Sequence, residues 1–225
     1  MTTIGVDASR GYEARPTGTE NYARAVIGGL LALGGPRYVL YTRGAPPPAL
    51  AAQVGSAAAL RPLPTGRLWT QRRLAAAVWR DRPDALFVPA HVLPLALAAP
   101  GVVTVHDVGH RRFPAAHTRA QRAYLELTTR HHARRARAVI ADSAATAADL
   151  TTFFRVPPDR IHVVHLGVDA DLRPPAASDV ARLRARLGLV AADPLVVHVG
   201  TRQPRKNLVR LIGAVLRLAP DHPSI

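Results

Sequence analysis

Short apolar, β-branched runs alternate along the chain with longer segments in which apolar residues recur every three or four positions. The short runs predict strands at residues 2–7, 38–42, 85–88, 102–106, 138–141, 160–166 and 195–199, with a weaker one near 58–61. The longer segments predict helices at residues 19–33, 68–80, 118–137, 144–154, 180–187 and 208–218. Because the strands are continuously apolar, the pattern favours an α/β fold with a parallel sheet covered by helices on both faces.

A proline-rich segment, residues 174–179, has the composition of an interdomain linker. It predicts an amino-terminal Rossmann-like domain at residues 1–173 and the start of a second domain at residues 174–225. Only about fifty residues follow the first domain, and a lone strand and helix cannot bury both faces of a strand. The second domain is therefore expected to be incomplete.

The composition excludes several kinds of protein. The chain has 225 residues, 48% of them hydrophobic, which is typical of a globular protein. Cysteine is absent, so a disulfide framework, a thiolate zinc site and a cysteine nucleophile are excluded. The sequence begins without a signal-peptide pattern and has no apolar run of ~18 residues. We expect a cytoplasmic protein, or one peripheral at the inner face of a membrane.

The charge is strongly positive, with 30 basic and 15 acidic residues and a net charge of +15. Such a charge is typical of proteins that bind nucleic acid, anionic membranes or phosphorylated substrates. The arginines are scattered, and few aromatic residues accompany the one dense cluster at residues 130–137, so nucleic acid is the weaker candidate. The alternative function is a basic protein that binds nucleic acid or an anionic surface, and its binding would fall steeply with salt.

The stretch VGTRQPRKNL, before the last predicted helix, has the chemistry of a phosphate-binding turn. Gly200 lets the backbone turn after a strand, and Arg202, Arg205 and Lys206 bring cations to a helix amino terminus, where free N–H groups already favour an anion. Lys206 is the only lysine of the chain. The alternative reading is a solvated start of the helix.

The strand predicted at residues 102–106 ends in a second informative stretch, VHDVGHRRFP. Ligands of open parallel sheets bind at the carboxyl ends of the strands, which gives His106 and Asp107 their weight as candidates. His106 and His110 are four residues apart, but Gly109 and the strand end argue against a helical pair of zinc ligands. The alternative is that His106 is a hydrogen-bonded core histidine.

The loop after the first strand lacks the GxGxxG pattern, which disfavours a nicotinamide-dependent dehydrogenase. Gly18 stands before the first predicted helix, where a helix amino terminus meets an anion or a sugar. Its alternative role is to turn the chain.

Taken in order, IGVDASR, PTGTENYAR, VTVHDVGHRRFP, AVIADSAATAADL, RIHVVHLGVD and VGTRQPRKNL resemble glycosyltransferase family 4, the retaining enzymes with the GT-B fold. The resemblance covers nearly the whole chain. It implies two Rossmann-like domains, with the acceptor held mainly by the first and the nucleotide sugar mainly by the second. The PRKN form resembles the subgroup that includes mannosyl- and rhamnosyltransferases.

The resemblance also implies roles for single residues. Gly18 would lie near the donor diphosphate, and His106 would approach the transferred sugar with Asp107 beside it. Arg205 and Lys206 would neutralise the diphosphate without a metal or another cofactor. Many family members have arginine directly after the strand's glycine, where this chain has Thr201, and Arg202 or Arg205 is expected to substitute for it.

The implied function is transfer of a sugar from a nucleotide-sugar donor to a glycan or lipid-linked acceptor in cell-surface polysaccharide assembly. Peripheral contact with an anionic membrane is a further expectation. The family's E-x7-E region, which binds the donor sugar, would lie beyond Ile225. The chain is therefore expected to be a fragment that does not turn over a donor by itself, because an open half-site cannot exclude water from a reactive sugar.

Overall fold

The structure is a computed structural model that describes residues 1–12, 17–56, 58–90, 92–169, 171–190, 195–200 and 202–218, with only the backbone at residue 205. The chain divides into two compact units. The first consists of Met1–Arg112 with Thr118–Leu166, and the second of Phe113–His117 with Gly167–Ile225. The predicted domain boundary between residues 173 and 174 stays a prediction.

The first unit contains one seven-stranded sheet in the order β3-β2-β1-β4-β5-β6-β7. Its strands are β1 Thr3–Asp7, β2 Arg37–Arg43, β3 Ala58–Leu63, β4 Ala85–Val88, β5 Gly101–Val105, β6 Ala138–Ala141 and β7 Ile161–Val163. Every neighbouring pair is parallel, which confirms the predicted parallel α/β sheet. All seven strands therefore end at the same edge, and the order reverses between β1 and β4, where ligands bind in open sheets.

The six predicted helices are formed, and two short ones, Pro48–Gln53 and Gly109–Arg112, join them. Within the described residues they are α1 Gly18–Leu33, α2 Pro48–Gln53, α3 Ala75–Asp81, α4 Gly109–Arg112, α5 Arg119–Arg135, α6 Ala144–Phe154, α7 Ala177–Arg186 and α8 Leu208–Leu218. The helix predicted at residues 68–80 is divided, because a π-helical turn, Thr70–Leu74, precedes α3. No helix in this described part of the chain is long and apolar enough to cross a membrane.

Two apolar layers enclose the sheet. Along β2, Tyr38 and Leu40 pack in a cluster with Ile27 of α1, whereas Val39 and Tyr41 belong to the cluster on the other face. Successive side chains of a strand point to opposite faces, so a continuously apolar strand needs a cover on both. The second cluster also takes in side chains of α3, α5 and α6, which gives the three-layer arrangement that the sequence predicts.

The strand predicted at residues 195–199 is not formed, and this prediction was wrong. The segment has no ladder partner in the described residues, and Leu195 and Val199 are 51% and 90% exposed. An apolar run becomes a strand only when neighbouring strands satisfy its backbone and helices cover its faces. Its helical neighbour α8 does form, but no described residue of the second unit is buried.

We predict that limited proteolysis cuts the chain first between residues 174 and 194. The first unit has buried clusters on both faces of its sheet, whereas the described residues of the second unit have none. Segments with few buried contacts open more readily to a protease. Mass spectrometry of the first fragments checks this, and initial cuts within residues 102–165 would contradict it.

Candidate active site

His106 and Asp142 meet at the carboxyl edge of the sheet. Val105 pairs with Ala141 in the parallel register of β5 and β6, and the two polar residues come next on their strands. The Nδ1 atom of His106 lies 2.6 Å from Oδ2 of Asp142, and its Nε2 atom lies 3.3 Å from the carbonyl oxygen of Pro89. Both contacts are hydrogen bonds at the same time only when both ring nitrogens carry a hydrogen.

The imidazole of His106 is held from further sides. The ring of Tyr22, on α1, meets it edge-on with 4.8 Å between centroids, and the Tyr22 hydroxyl lies 3.1 Å from Oγ1 of Thr104. The Thr146 hydroxyl donates to the carbonyl of His106 at 3.2 Å. The His106 side chain nevertheless remains 18% exposed. It is therefore fixed in orientation and still accessible to a ligand.

Asp142 is a candidate site residue that the sequence analysis missed. Its Oδ1 atom is buried and has no hydrogen-bond partner within the described residues, although buried polar atoms are normally paired. The signal was available in the sequence, since Asp142 directly follows a predicted strand and His106 ends one. What the sequence could not supply was the fact that these two strands are neighbours.

Asp107 serves the local turn. Its Oδ1 atom accepts a hydrogen bond from the backbone N–H of Gly109 at 2.8 Å, and the residue is exposed. An aspartate that bonds two residues ahead stabilises a turn, and here it leads into α4. Its predicted catalytic role beside His106 stays a prediction.

The basic residues after this turn tie the loop to neighbouring helices. Arg111 forms a salt bridge with Glu126 of α5, and Arg112 forms one with Asp149 of α6. His110 also approaches Glu126, at 3.5 Å. Burial raises the pKa of Glu126, but the hydrogen bond and charge of Arg111 outweigh it and hold the pKa below its usual value. These pairs anchor the loop that carries His106.

Gly18 is the first residue of α1. A Cβ atom at this position would meet nothing within 4 Å, so glycine is not required there for packing. The Glu20 carboxylate accepts a hydrogen bond from the Thr17 N–H at 2.9 Å, and the hydrogen bond with Thr17 lowers the pKa of Glu20. Gly18 lies four residues before Tyr22, on the same face of α1, and its predicted place near the donor diphosphate stays a prediction.

The polar turn of the second unit surrounds Gly200. This residue has φ of 156°, which favours glycine, and a Cβ atom here would lie 3.3 Å from Nε2 of His198 and 4.0 Å from Cε of Lys206. The turn thus brings the only lysine towards a histidine that the sequence analysis did not consider. Arg202 is exposed nearby in sequence, and Thr201 and the side chain of Arg205 lie outside the described residues.

Asp7 ends β1 at the edge of the sheet where His106 and Asp142 lie. It is only 6% exposed, and its Oδ1 atom accepts a hydrogen bond from the Ser9 N–H at 3.0 Å. Burial raises the pKa of Asp7, against the lowering effects of Ser9 and of the charges of Arg10 and Arg43. A buried carboxyl with a raised pKa at the ligand-binding edge marks a candidate binding residue that the sequence analysis also missed.

Residues 16–172 match the family described as Glycosyltransferase Family 4. The chain belongs to this family. The α-maltose-1-phosphate synthase of Mycolicibacterium smegmatis is 39% identical over 87 residues, which are 37% of this family 4 chain and 22% of the relative. The O-antigen chain mannosyltransferase B of Escherichia coli is 28% identical over 149 residues, or 66% of this chain and 38% of the relative.

The fold of this family 4 chain is also found in a solved structure, the Anabaena protein HepE in complex with UDP and glucose. The TM-score is 0.61 at 20% identity, over 98% of this chain and 59% of HepE. The predicted GT-B type of fold is thereby confirmed. In each of these comparisons the chain spans less than two thirds of the length of the protein it matches.

We predict that Asp7→Asn stabilises this family 4 chain at neutral pH. The folded-state pKa of Asp7 is raised, so the stability tied to its protonation is fully present below the unfolded pKa, near 3.8, and is lost as pH rises through the folded value. Asparagine keeps the oxygen that accepts from Ser9 and does not ionise.

Thermal melting between about pH 4 and 8 checks this. The Tm difference between Asp7→Asn and the natural chain should grow as the pH rises. The exposed Asp159→Asn serves as the control and should show no such trend. A difference that is independent of pH would show that Asp7 does not carry the effect.

Proposed function

We propose that this family 4 chain acts in transfer of a sugar from a nucleotide-sugar donor to a glycan or lipid-linked acceptor. The observation that carries the proposal is the pairing of His106 with Asp142, an oriented and accessible imidazole at the ligand-binding edge of a parallel sheet. The names of the relatives support sugar transfer, and HepE was solved with UDP and with UDP-glucose. The UDP and UDP-glucose bound to HepE support a nucleotide-sugar donor.

Breaking the bond between the donor sugar and its diphosphate leaves negative charge on the leaving oxygen. Cations aimed at that oxygen are worth more in the transition state than in the bound substrate, and so raise the rate. We propose that Lys206, with Arg202 and Arg205, supplies this charge without a metal or another cofactor. The place of Lys206 in a turn, Pro204–Lys206, just before α8 supports the assignment, because free N–H groups at a helix start also favour an anion.

His106 acts on the sugar in this proposal. In this proposal a hydroxyl of the transferred sugar takes the place of the Pro89 carbonyl, which lies 3.3 Å away, and hydrogen-bonds Nε2 of His106, while Asp142 and Tyr22 hold the ring in place. Gly18 and the N–H groups at the start of α1 approach the diphosphate. Asp107 lies beside His106 and shapes the loop through its turn.

The setting that we propose is cell-surface polysaccharide assembly at the cytoplasmic side of a membrane. The name of the O-antigen chain mannosyltransferase supports it. The net charge of +15 supports peripheral contact with an anionic membrane. Nucleic-acid binding is less favoured, because two arginines of the loop after β5, Arg111 and Arg112, already pair with carboxylates.

Lys206→Ala should weaken binding of a nucleoside diphosphate to the purified chain by ~10-fold or more, because a hydrogen bond to a charged group contributes about 1.5–3 kcal/mol. Lys206→Arg should retain part of the affinity, since it keeps the charge and changes the shape. Calorimetric titration with UDP, GDP and dTDP checks this. The exposed Arg210→Ala, on α8, is the matched control.

Unchanged affinity in Lys206→Ala would show that the lysine is an ordinary surface residue. In a turnover assay with a nucleotide-sugar donor, we expect Lys206→Ala to lower kcat more than it raises KM, by ~10²-fold as for loss of one oxyanion donor.

His106→Ala should reduce affinity for UDP-glucose by roughly 3- to 10-fold, the value of one hydrogen bond, and leave affinity for UDP unchanged. The difference arises because His106 is assigned to the sugar and not to the diphosphate. His162→Ala, at an exposed position of β7, is the control. Equal losses for UDP and UDP-glucose would contradict the assignment.

A further inference from the structure

A cavity of about 380 Å³ opens at the carboxyl ends of three strands. Asp7 ends β1, Arg43 ends β2 and Val88 ends β4, and all three line the cavity. The strand order reverses between β1 and β4, so the cavity lies at the place where open parallel sheets bind their ligands. None of the residues that we assigned to the donor lines it.

The lining of this cavity is cationic. Arg10, Arg43 and Arg67 contribute three guanidinium groups, and Asp7 is the only carboxyl among the described lining residues. Within the described part of the chain, none of the three arginines forms a salt bridge, in contrast to Arg111, which pairs with Glu126. The charges of two of them, Arg10 and Arg43, lower the pKa of Asp7, but they do not cancel the rise that burial causes. The cavity therefore carries an excess of positive charge.

The walls of the cavity hold strained and unsatisfied groups. Trp69 is 1% exposed beneath Arg43, whose guanidinium lies 5.4 Å from the ring centroid. Its Nε1 atom is buried with no hydrogen-bond partner in the described residues. Leu68 has φ of 54°, a left-handed conformation that costs energy for a residue other than glycine. Such features concentrate where a protein is shaped for a ligand rather than for stability.

We infer that this cavity binds the sugar acceptor and that the acceptor carries a phosphate group. The inference rests on the proposed transfer function and adds the chemical class of the acceptor. The planar guanidinium of arginine donates paired hydrogen bonds to phosphate oxygens, and Arg10 and Arg43, which line the cavity with Asp7, are the donors. The Asp7 carboxyl accepts a hydrogen bond from a sugar hydroxyl. The volume is in the range of small-molecule sites.

Calorimetric titration of the 225-residue chain with glucose 6-phosphate, inorganic phosphate and glucose tests the inference. We expect the two phosphates to bind and glucose to bind at least ~10-fold more weakly, since a hydrogen bond between charged groups is roughly twice as strong as a neutral one. Arg43→Gln should weaken phosphate binding by ~10-fold. Arg37→Gln is the matched control, because Arg37 is exposed at the opposite end of the same strand.

A second arm identifies the source of the phosphate. Phosphatidylcholine vesicles with and without phosphatidylinositol are sedimented with the natural chain and with Arg43→Gln. Binding that needs both phosphatidylinositol and Arg43 assigns the phosphate to a lipid-linked acceptor, whereas binding of glucose 6-phosphate alone assigns it to a soluble one. Both results support the inference.

The inference is wrong if neither phosphate nor phosphatidylinositol vesicles bind, or if Arg37→Gln and Arg43→Gln lose binding equally. It is also wrong if Lys206→Ala abolishes glucose 6-phosphate binding, because the phosphate would then occupy the donor site. Failure of the proposed function has a different signature, namely UDP binding that is insensitive to Lys206→Ala while Arg43 still controls phosphate binding.

Discussion

The parallel register of neighbouring strands decides where the chemistry of this protein lies. Val105 faces Ala141 across β5 and β6, so the next residues, His106 and Asp142, leave the sheet side by side and reach hydrogen-bond distance. The same constraint places Asp7 and Arg43 at this edge, because β1 and β2 also run parallel. If two of these strands were antiparallel, their carboxyl ends would lie at opposite edges of the sheet, and the groups would be separated by the length of a strand.

The arginines of the first unit fall into two groups with different surroundings. Arg111 and Arg112 neutralise carboxylates of α5 and α6, and thereby fix the loop after β5. Arg10, Arg43 and Arg67 surround a cavity whose one described carboxyl is buried Asp7. The first group stabilises the scaffold, whereas the second keeps like charges close together, which costs stability unless an anion joins them. Net charge alone could not distinguish the two.

The apolar side chains of the second unit are exposed to a much larger extent than those of the first. Val180 and Leu183 of α7 and Ile212 and Leu216 of α8 are each more than two-fifths exposed, although both helices form with regular apolar spacing. A helix makes its hydrogen bonds within its own segment, so α7 and α8 have helical backbones although none of their described residues is buried. The Gly200 turn likewise takes its shape from local backbone conformation, with φ of 156° at Gly200, in a unit with no buried described residue.

The sequence by itself determined the elements and much of the architecture. Short apolar runs located all seven strands of the sheet, the 3.6-residue period located the longer helices, and motif order indicated the family, because local backbone preferences and burial are written into consecutive residues. His106 was predicted from its position at the end of a strand. Its partner Asp142 was not, and neither was the cavity around Asp7 and Arg43, since both depend on strand order. The tertiary structure alone decided these, and it also left residues 195–199 without a ladder partner among the described residues, because a strand exists only through neighbours that lie elsewhere in the chain.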